Sequence, residues 1–75
     1  MQRYANLSGK SGIVAYRLGS GTITVEFAGG MRYIYTADRA GAANIDRMHE
    51  LAIAGRGLST FISQHIHDRY TRKLD

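Results

Sequence analysis

The six residues TITVEF, Thr22–Phe27, alternate polar and apolar without a break between two glycine-containing stops, Gly19-Ser20-Gly21 and Ala28-Gly29-Gly30. Period-two alternation puts Ile23, Val25 and Phe27 on one face of a strand and Thr22, Thr24 and Glu26 on the other. Stops this short leave room for hairpin turns and nothing longer, so the segment is expected as the middle strand of an antiparallel meander. Its neighbours are residues 13–18 (IVAYRL) and residues 31–36 (MRYIYT). In the first of these, Val14, Tyr16 and Leu18 share one face and Ala15 and Arg17 the other. Residues 1–12, with Ser8, Gly9, Ser11 and Gly12 among them, read as an irregular lead-in.

The register of the second hairpin decides what Tyr33 and Tyr35 do. A two-residue Gly29-Gly30 turn would set Phe27 against Arg32 and send both tyrosines outward. A three-residue Ala28-Gly29-Gly30 loop, with Gly30 as a left-handed bulge, sets Phe27 against Met31, Glu26 against Arg32, Val25 against Tyr33 and Ile23 against Tyr35. The second arrangement replaces a charge against a phenyl ring with an opposite-charge pair, and good cross-strand pairs contribute about 0.2–1 kcal/mol. A one-residue slip would invert the whole strand. The first hairpin agrees with the three-residue loop, since a Ser20-Gly21 turn sets Leu18 against Ile23, Tyr16 against Val25 and Val14 against Phe27. Both tyrosines are therefore expected to face the core. The outer face is expected to show Ala15, Arg17, Thr24, Glu26, Arg32, Ile34 and Thr36.

After Thr36 the period changes. From Asp38 or Gly41 to Ala54, Ile45, Met48, Leu51 and Ala52 recur at three- and four-residue spacing, with Asp46, Arg47 and Glu50 opposite, which specifies an amphipathic helix. Gly55 is placed to stop it in a left-handed conformation. A second helix is predicted over residues 58–67, with Leu58, Phe61, Ile62 and His65 as its inner stripe and Ile66 at the border. The expected fold class is α+β: a three-stranded antiparallel meander with two C-terminal helices on one face (βββαα), in a single domain over residues 1–75 whose ordered core runs from about 11 to 70.

A chain of 75 residues without cysteine has neither disulfides nor a thiolate metal site to support a small core. Packing or self-association must suffice. The first ten residues, MQRYANLSGK, lack the apolar run of a signal peptide, and no stretch reaches the roughly 20 apolar residues a membrane helix needs. A cytoplasmic protein with no membrane partner is the expectation. Ten Lys and Arg against six Asp and Glu give a net charge of +4. Eight of the ten cations are arginine, which grips phosphate with a planar fork. The densest run is the tail RYTRK, holding Arg69, Arg72 and Lys73, expected as a frayed terminus.

Three constellations bear on chemistry. His65 and His67 stand about 200° apart on a helix, which prevents chelation from one face, so neither a metal nor any other cofactor is expected. His65, on the apolar stripe, is expected to hydrogen-bond a tyrosine hydroxyl. Ser59, His65 and Asp68 diverge on one helix and do not compose a nucleophilic triad, and no paired carboxylates stand at workable spacing, so an enzyme is not expected. In AGRGLST, Arg56, flexible glycine backbone and the free N–H groups of a helix start combine as an anion site does, without the lysine of a phosphate loop. Arg56, Gly57, Ser59 and Thr60 are the candidate phosphate contacts there, against the plainer reading of a helix connection capped by Gly55.

The order IVAYRL, ITVEF, a glycine turn, YIY, a helix and then AGRGLSTFISQHIHDRY resembles the KTSC domain family, small domains found at the C-terminus of some lysyl-tRNA synthetases and alone in small bacterial and phage proteins. The tyrosine-x-tyrosine, here Tyr33 and Tyr35, is its most recognisable motif, and the small-residue step into an apolar helix, here residues 54–62, also fits. The likeness covers about residues 11–70, although ADRAGAAN is rich in glycine and alanine where the family often has acidic residues or proline. It implies a βββαα domain; RNA binding has been suggested for the family. The functional expectation is a non-catalytic module that contacts RNA or other nucleic acid through Arg17, Arg32, Arg56 and the basic tail. The alternative is a protein-interaction or self-associating domain that uses the first-strand edge or an apolar helix border.

Overall fold

The computed structural model describes residues 1–74. Its sheet has five antiparallel strands in chain order: β1 (Gln2–Arg3), β2 (Ile13–Gly19), β3 (Thr22–Phe27), β4 (Arg32–Thr36) and β5 (Arg72–Leu74). The α+β class and the central meander are as expected, but the sheet has five strands rather than three. Both additions come from segments expected to be irregular. Gln2 pairs with Tyr16 and Arg3 with Ala15 at one edge, and Arg72, Lys73 and Leu74 pair with Ile34, Tyr33 and Arg32 at the other. The lead-in is organised by Asn6, whose Oδ1 accepts from the Ser11 hydroxyl (2.7 Å) and N–H (3.2 Å). Edge strands of two and three residues leave little unpaired backbone to recruit another chain.

The second hairpin adopts the three-residue loop. Phe27 N–H donates to Met31 O at 2.8 Å, Gly29 and Gly30 have φ of 98° and 92°, and Glu26, Val25 and Ile23 face Arg32, Tyr33 and Tyr35. The first hairpin differs at one position. A bulge between Ile13 and Ala15 pairs Ile13 with Phe27, so Ile13 enters the core and Val14 is exposed. The extra residue shifts side-chain parity by one, which is why alternation assigned Val14 to the inner face. Leu18, at the end of β2, is also exposed, whereas Tyr16 is buried.

The helices cover the inner face. A single turn, α1 (Ala37–Ala40), is broken at Gly41, and α2 (Ala42–Ala54) buries Ile45, Met48 and Ala52. Gly55 ends α2 at φ 78°, donating to the Leu51 and Ala52 carbonyls. A Cβ there would stand 2.6 Å from that of Ala5, so this glycine answers a close approach as well as a left-handed cap. The last helix begins as α3 (Leu58–Phe61) and widens into a π-helical turn, Ile62–Ile66, closed by His67 N–H on Ile62 O at 2.6 Å. Leu58, Ile62 and Ile66 form its buried stripe, and His65 is exposed, its ring 4.8 Å from that of Phe61. The expected places of His65 and Ile66 are thus exchanged, and no tyrosine bonds His65 among the described residues. His49 is the histidine held by the fold, its Nε2 at 2.6 Å from Thr22 O.

One core joins the layers: Ile23, Val25 and Tyr35 from the sheet, and Ile45, Met48, Leu58 and Ile66 from the helices. Each aliphatic side chain of this kind contributes about 1.5–3 kcal/mol when removed from water. Tyr4 joins them although it lies in the lead-in. It is 3% exposed, meets Tyr16 edge-on at 6.4 Å, and its hydroxyl accepts the Leu58 N–H at 3.4 Å.

Candidate functional site: an open arginine face and a tyrosine cleft

Paired residues in an antiparallel sheet share a face, so the register fixes what the uncovered side presents. One row across it runs Arg3, Ala15, Glu26, Arg32, Leu74, and the next runs Arg17, Thr24, Ile34, Arg72. With strands about 4.8 Å apart, Arg3 and Arg32 stand roughly 14 Å apart, as do Arg17 and Arg72, in rows offset by about 7 Å. All four arginines are exposed, and none makes an ion pair or side-chain hydrogen bond among the described residues; the only salt bridge there is Arg47–Glu50 on α2. Glu26 is the one carboxylate in these rows. A second, Asp38, lies where β4 ends; the Thr36 hydroxyl, which also meets Thr71, donates to it and holds its carboxyl below the usual range. The face is a patch of four arginines set around Ala15, Thr24, Ile34 and the single carboxylate of Glu26.

The structure therefore brings Arg17, Arg32 and Arg72 together and adds Arg3, which sequence reasoning passed over because a two-residue strand carries no measurable alternation. Other candidates lie elsewhere. Arg56, Gly57, Ser59 and Thr60 are in the helical layer, where the Tyr4 hydroxyl takes the Leu58 N–H. Arg69 is exposed in the return from the last helix, and Lys73 is on the opposite face of β5 from Arg72.

The two motif tyrosines part company. Tyr35 is core, 2% exposed, and burial, reinforced by neighbouring Tyr33 and Tyr70, pushes its phenol up to about 12. Tyr33 is half-buried. Its ring meets Phe27 edge-on at 5.6 Å and Tyr70 at 4.8 Å, and Lys73 Nζ stands 5.9 Å from its centre, within cation–π range. These rings line an open cleft of about 460 Å³ together with Tyr35, Met31, Ile62, His67 and Asp68.

The cleft exists because of how the last helix ends. The π-helical turn leads into His67 at φ 57°, ψ −119°, a conformation costly for a residue with a Cβ. From there the chain turns through Arg69 N–H on Ile66 O (3.1 Å) and docks on β4 through Thr71 N–H on Ile34 O (2.7 Å). Residues 67–70 thus arch from the helix to β5 instead of packing flat. No sequence pattern announces this arch, since Tyr70 has no periodic partner. No family model, curated protein or solved structure matches the chain.

Proposed function

We propose that the protein is a non-catalytic nucleic-acid-binding module whose open sheet face grips phosphates through Arg3, Arg17, Arg32 and Arg72. The observation that carries this reading is four exposed arginines on one face, unpaired among the described residues and with one carboxylate between them. Guanidinium forks bind phosphate oxygens with two parallel hydrogen bonds, so unpaired arginines favour phosphate over a diffuse acidic surface. Among the described residues these rows hold no aromatic ring, so the face positions the backbone and does not read bases. The tyrosine-x-tyrosine and the likeness to the KTSC family, with its suggested RNA binding and its bacterial and phage members, support the same reading, in the cytoplasm.

A labelled pool of single-stranded RNA and DNA oligonucleotides should bind at low salt and dissociate as salt rises. Substituting Arg17, Arg32 and Arg72 together by alanine should lower the slope of log K against log salt by about 2, from roughly 0.7 per lost single-strand phosphate contact. Absence of binding at low salt overturns the proposal. Self-association is the second reading, favoured by Leu7 and Ile53, each 67% exposed near the Gly55 cap. Sedimentation would show a mass that rises with concentration and is insensitive to salt.

A further inference from the structure

We infer that the tyrosine cleft receives a single unpaired, amino-bearing base from the strand whose phosphates lie on the open face, an inference that rests on the nucleic-acid reading above. The two surfaces are joined by β5. Successive residues of a strand point to opposite faces, so Arg72 stands on the open face while Lys73 stands over Tyr33 at the cleft. A strand leaving Arg32 and Arg72 therefore has only the single edge strand β5 to cross before it meets a second cation and an aromatic wall.

Size and chemistry select the occupant. About 460 Å³ falls within the range of small-molecule pockets and accommodates a nucleoside, whereas a helix or hairpin would not enter. Tyr33, Tyr70 and Phe27 present ring faces and edges, the surfaces on which unpaired bases stack regardless of sequence. Asp68 is exposed and lines the cleft; its carboxylate can only accept hydrogen bonds when ionised, and exocyclic amino groups of adenine, cytosine and guanine are donors that uracil and thymine lack. Lys73, with Nζ 5.9 Å from the centre of the Tyr33 ring, supplies the charge for the phosphate of the inserted nucleotide. The arch that makes room for this is held by a π-helical turn and a residue in an unfavourable conformation, both features that concentrate at binding sites.

The probes are AMP, CMP and UMP followed by amide shifts of the full chain, and a dodecamer carrying 2-aminopurine whose fluorescence falls on stacking. AMP and CMP should shift Phe27, Tyr33 and Tyr70, which inorganic phosphate at the same concentration should leave unmoved. Tyr70→Ala should abolish 2-aminopurine quenching while the dodecamer still binds with its salt dependence. Asp68→Asn, at an exposed position that should not disturb folding, should weaken AMP and CMP at least threefold and leave UMP unchanged. If the dodecamer binds through the arginine face but no nucleotide shifts the cleft and quenching is absent, the cleft inference fails and the phosphate reading stands. If nucleotides shift the cleft and the arginine variants bind the dodecamer as the parent does, the phosphate reading fails instead.

Discussion

Glu26 and Arg32 are register partners across β3 and β4 on the open face, yet their side chains do not close an ion pair. The expected charge pair is present in register only, which leaves the Arg32 guanidinium available. An exposed pair of this kind would contribute at most about 1 kcal/mol in any case. On the phosphate-binding proposal, the carboxylate acts chiefly by opposing an incoming phosphate. Glu26→Gln should tighten oligonucleotide binding about twofold at low salt and have no effect near 1 M, where the Debye length is about 3 Å. Anisotropy titrations at the two salts check this; weaker binding by the variant would place Glu26 in a supporting role.

His67 is a non-glycine residue at φ 57°, ψ −119°. Such positions cost about 1–3 kcal/mol, partly offset in a glycine variant by the larger entropy of its unfolded chain. His67→Gly should raise stability by about 1 kcal/mol, or roughly 4–8 °C in Tm for a domain of this size. A thermal melt measures it, and a lower Tm would mean that the histidine ring contributes packing beyond its backbone cost.

Gly55 and Gly9 have nearly equal φ, 78° and 76°, but only Gly55 faces a close neighbour, Ala5 at 2.6 Å, while Gly9 has open space. Gly9→Ala should therefore cost about 1 kcal/mol, the conformational penalty alone. Gly55→Ala adds displacement of the N-terminal segment and should cost 3 kcal/mol or more. Urea unfolding of both variants separates the two contributions, and equal losses would refute the packing argument.

Tyr35 has its phenol pushed up to about 12 by burial, above the usual value near 10. The folded state therefore keeps a proton that the unfolded state loses. The resulting stabilisation is complete below about pH 10 and disappears as pH rises from 10 to 12, a loss of at most about 2.7 kcal/mol. Tyr35→Phe should flatten this alkaline decline. The change in urea midpoint between pH 9 and pH 11.5, compared for parent and variant, decides it.

Much of the meander was legible because Ile23, Val25 and Phe27 alternate cleanly and the AGG loop admits few registers. Ile45, Met48 and Ala52 made α2 equally plain. Val14 misled because a bulge leaves composition and spacing unchanged while inverting which residue faces inward. The edge strands were invisible for another reason: Gln2–Arg3 and Arg72–Leu74 are too short and polar to show a period, and they pair only because β2 and β4 offer free backbone. The arginine face was half legible, since Arg17 and Arg32 follow from register whereas Arg3 and Arg72 depend on those edges. The cleft was not legible at all, because it depends on a helix that widens by one residue per turn near its end.

The order of the strands also bears on how the molecule assembles. Strands β1 to β4 each pair with a neighbour in sequence across loops or tight turns, so their contacts can form early. β5 must wait until the whole helical layer has been traversed before it reaches β4. Its pairing closes a longer stretch of chain than any other strand pairing, so β5 is expected to dock last and to be released without disturbing the rest of the sheet. Amide exchange should then be fastest along β5 and the arch before it, so that the strand carrying Arg72 and Lys73 behaves as a latch on the cleft, opening without unfolding the sheet that supports it.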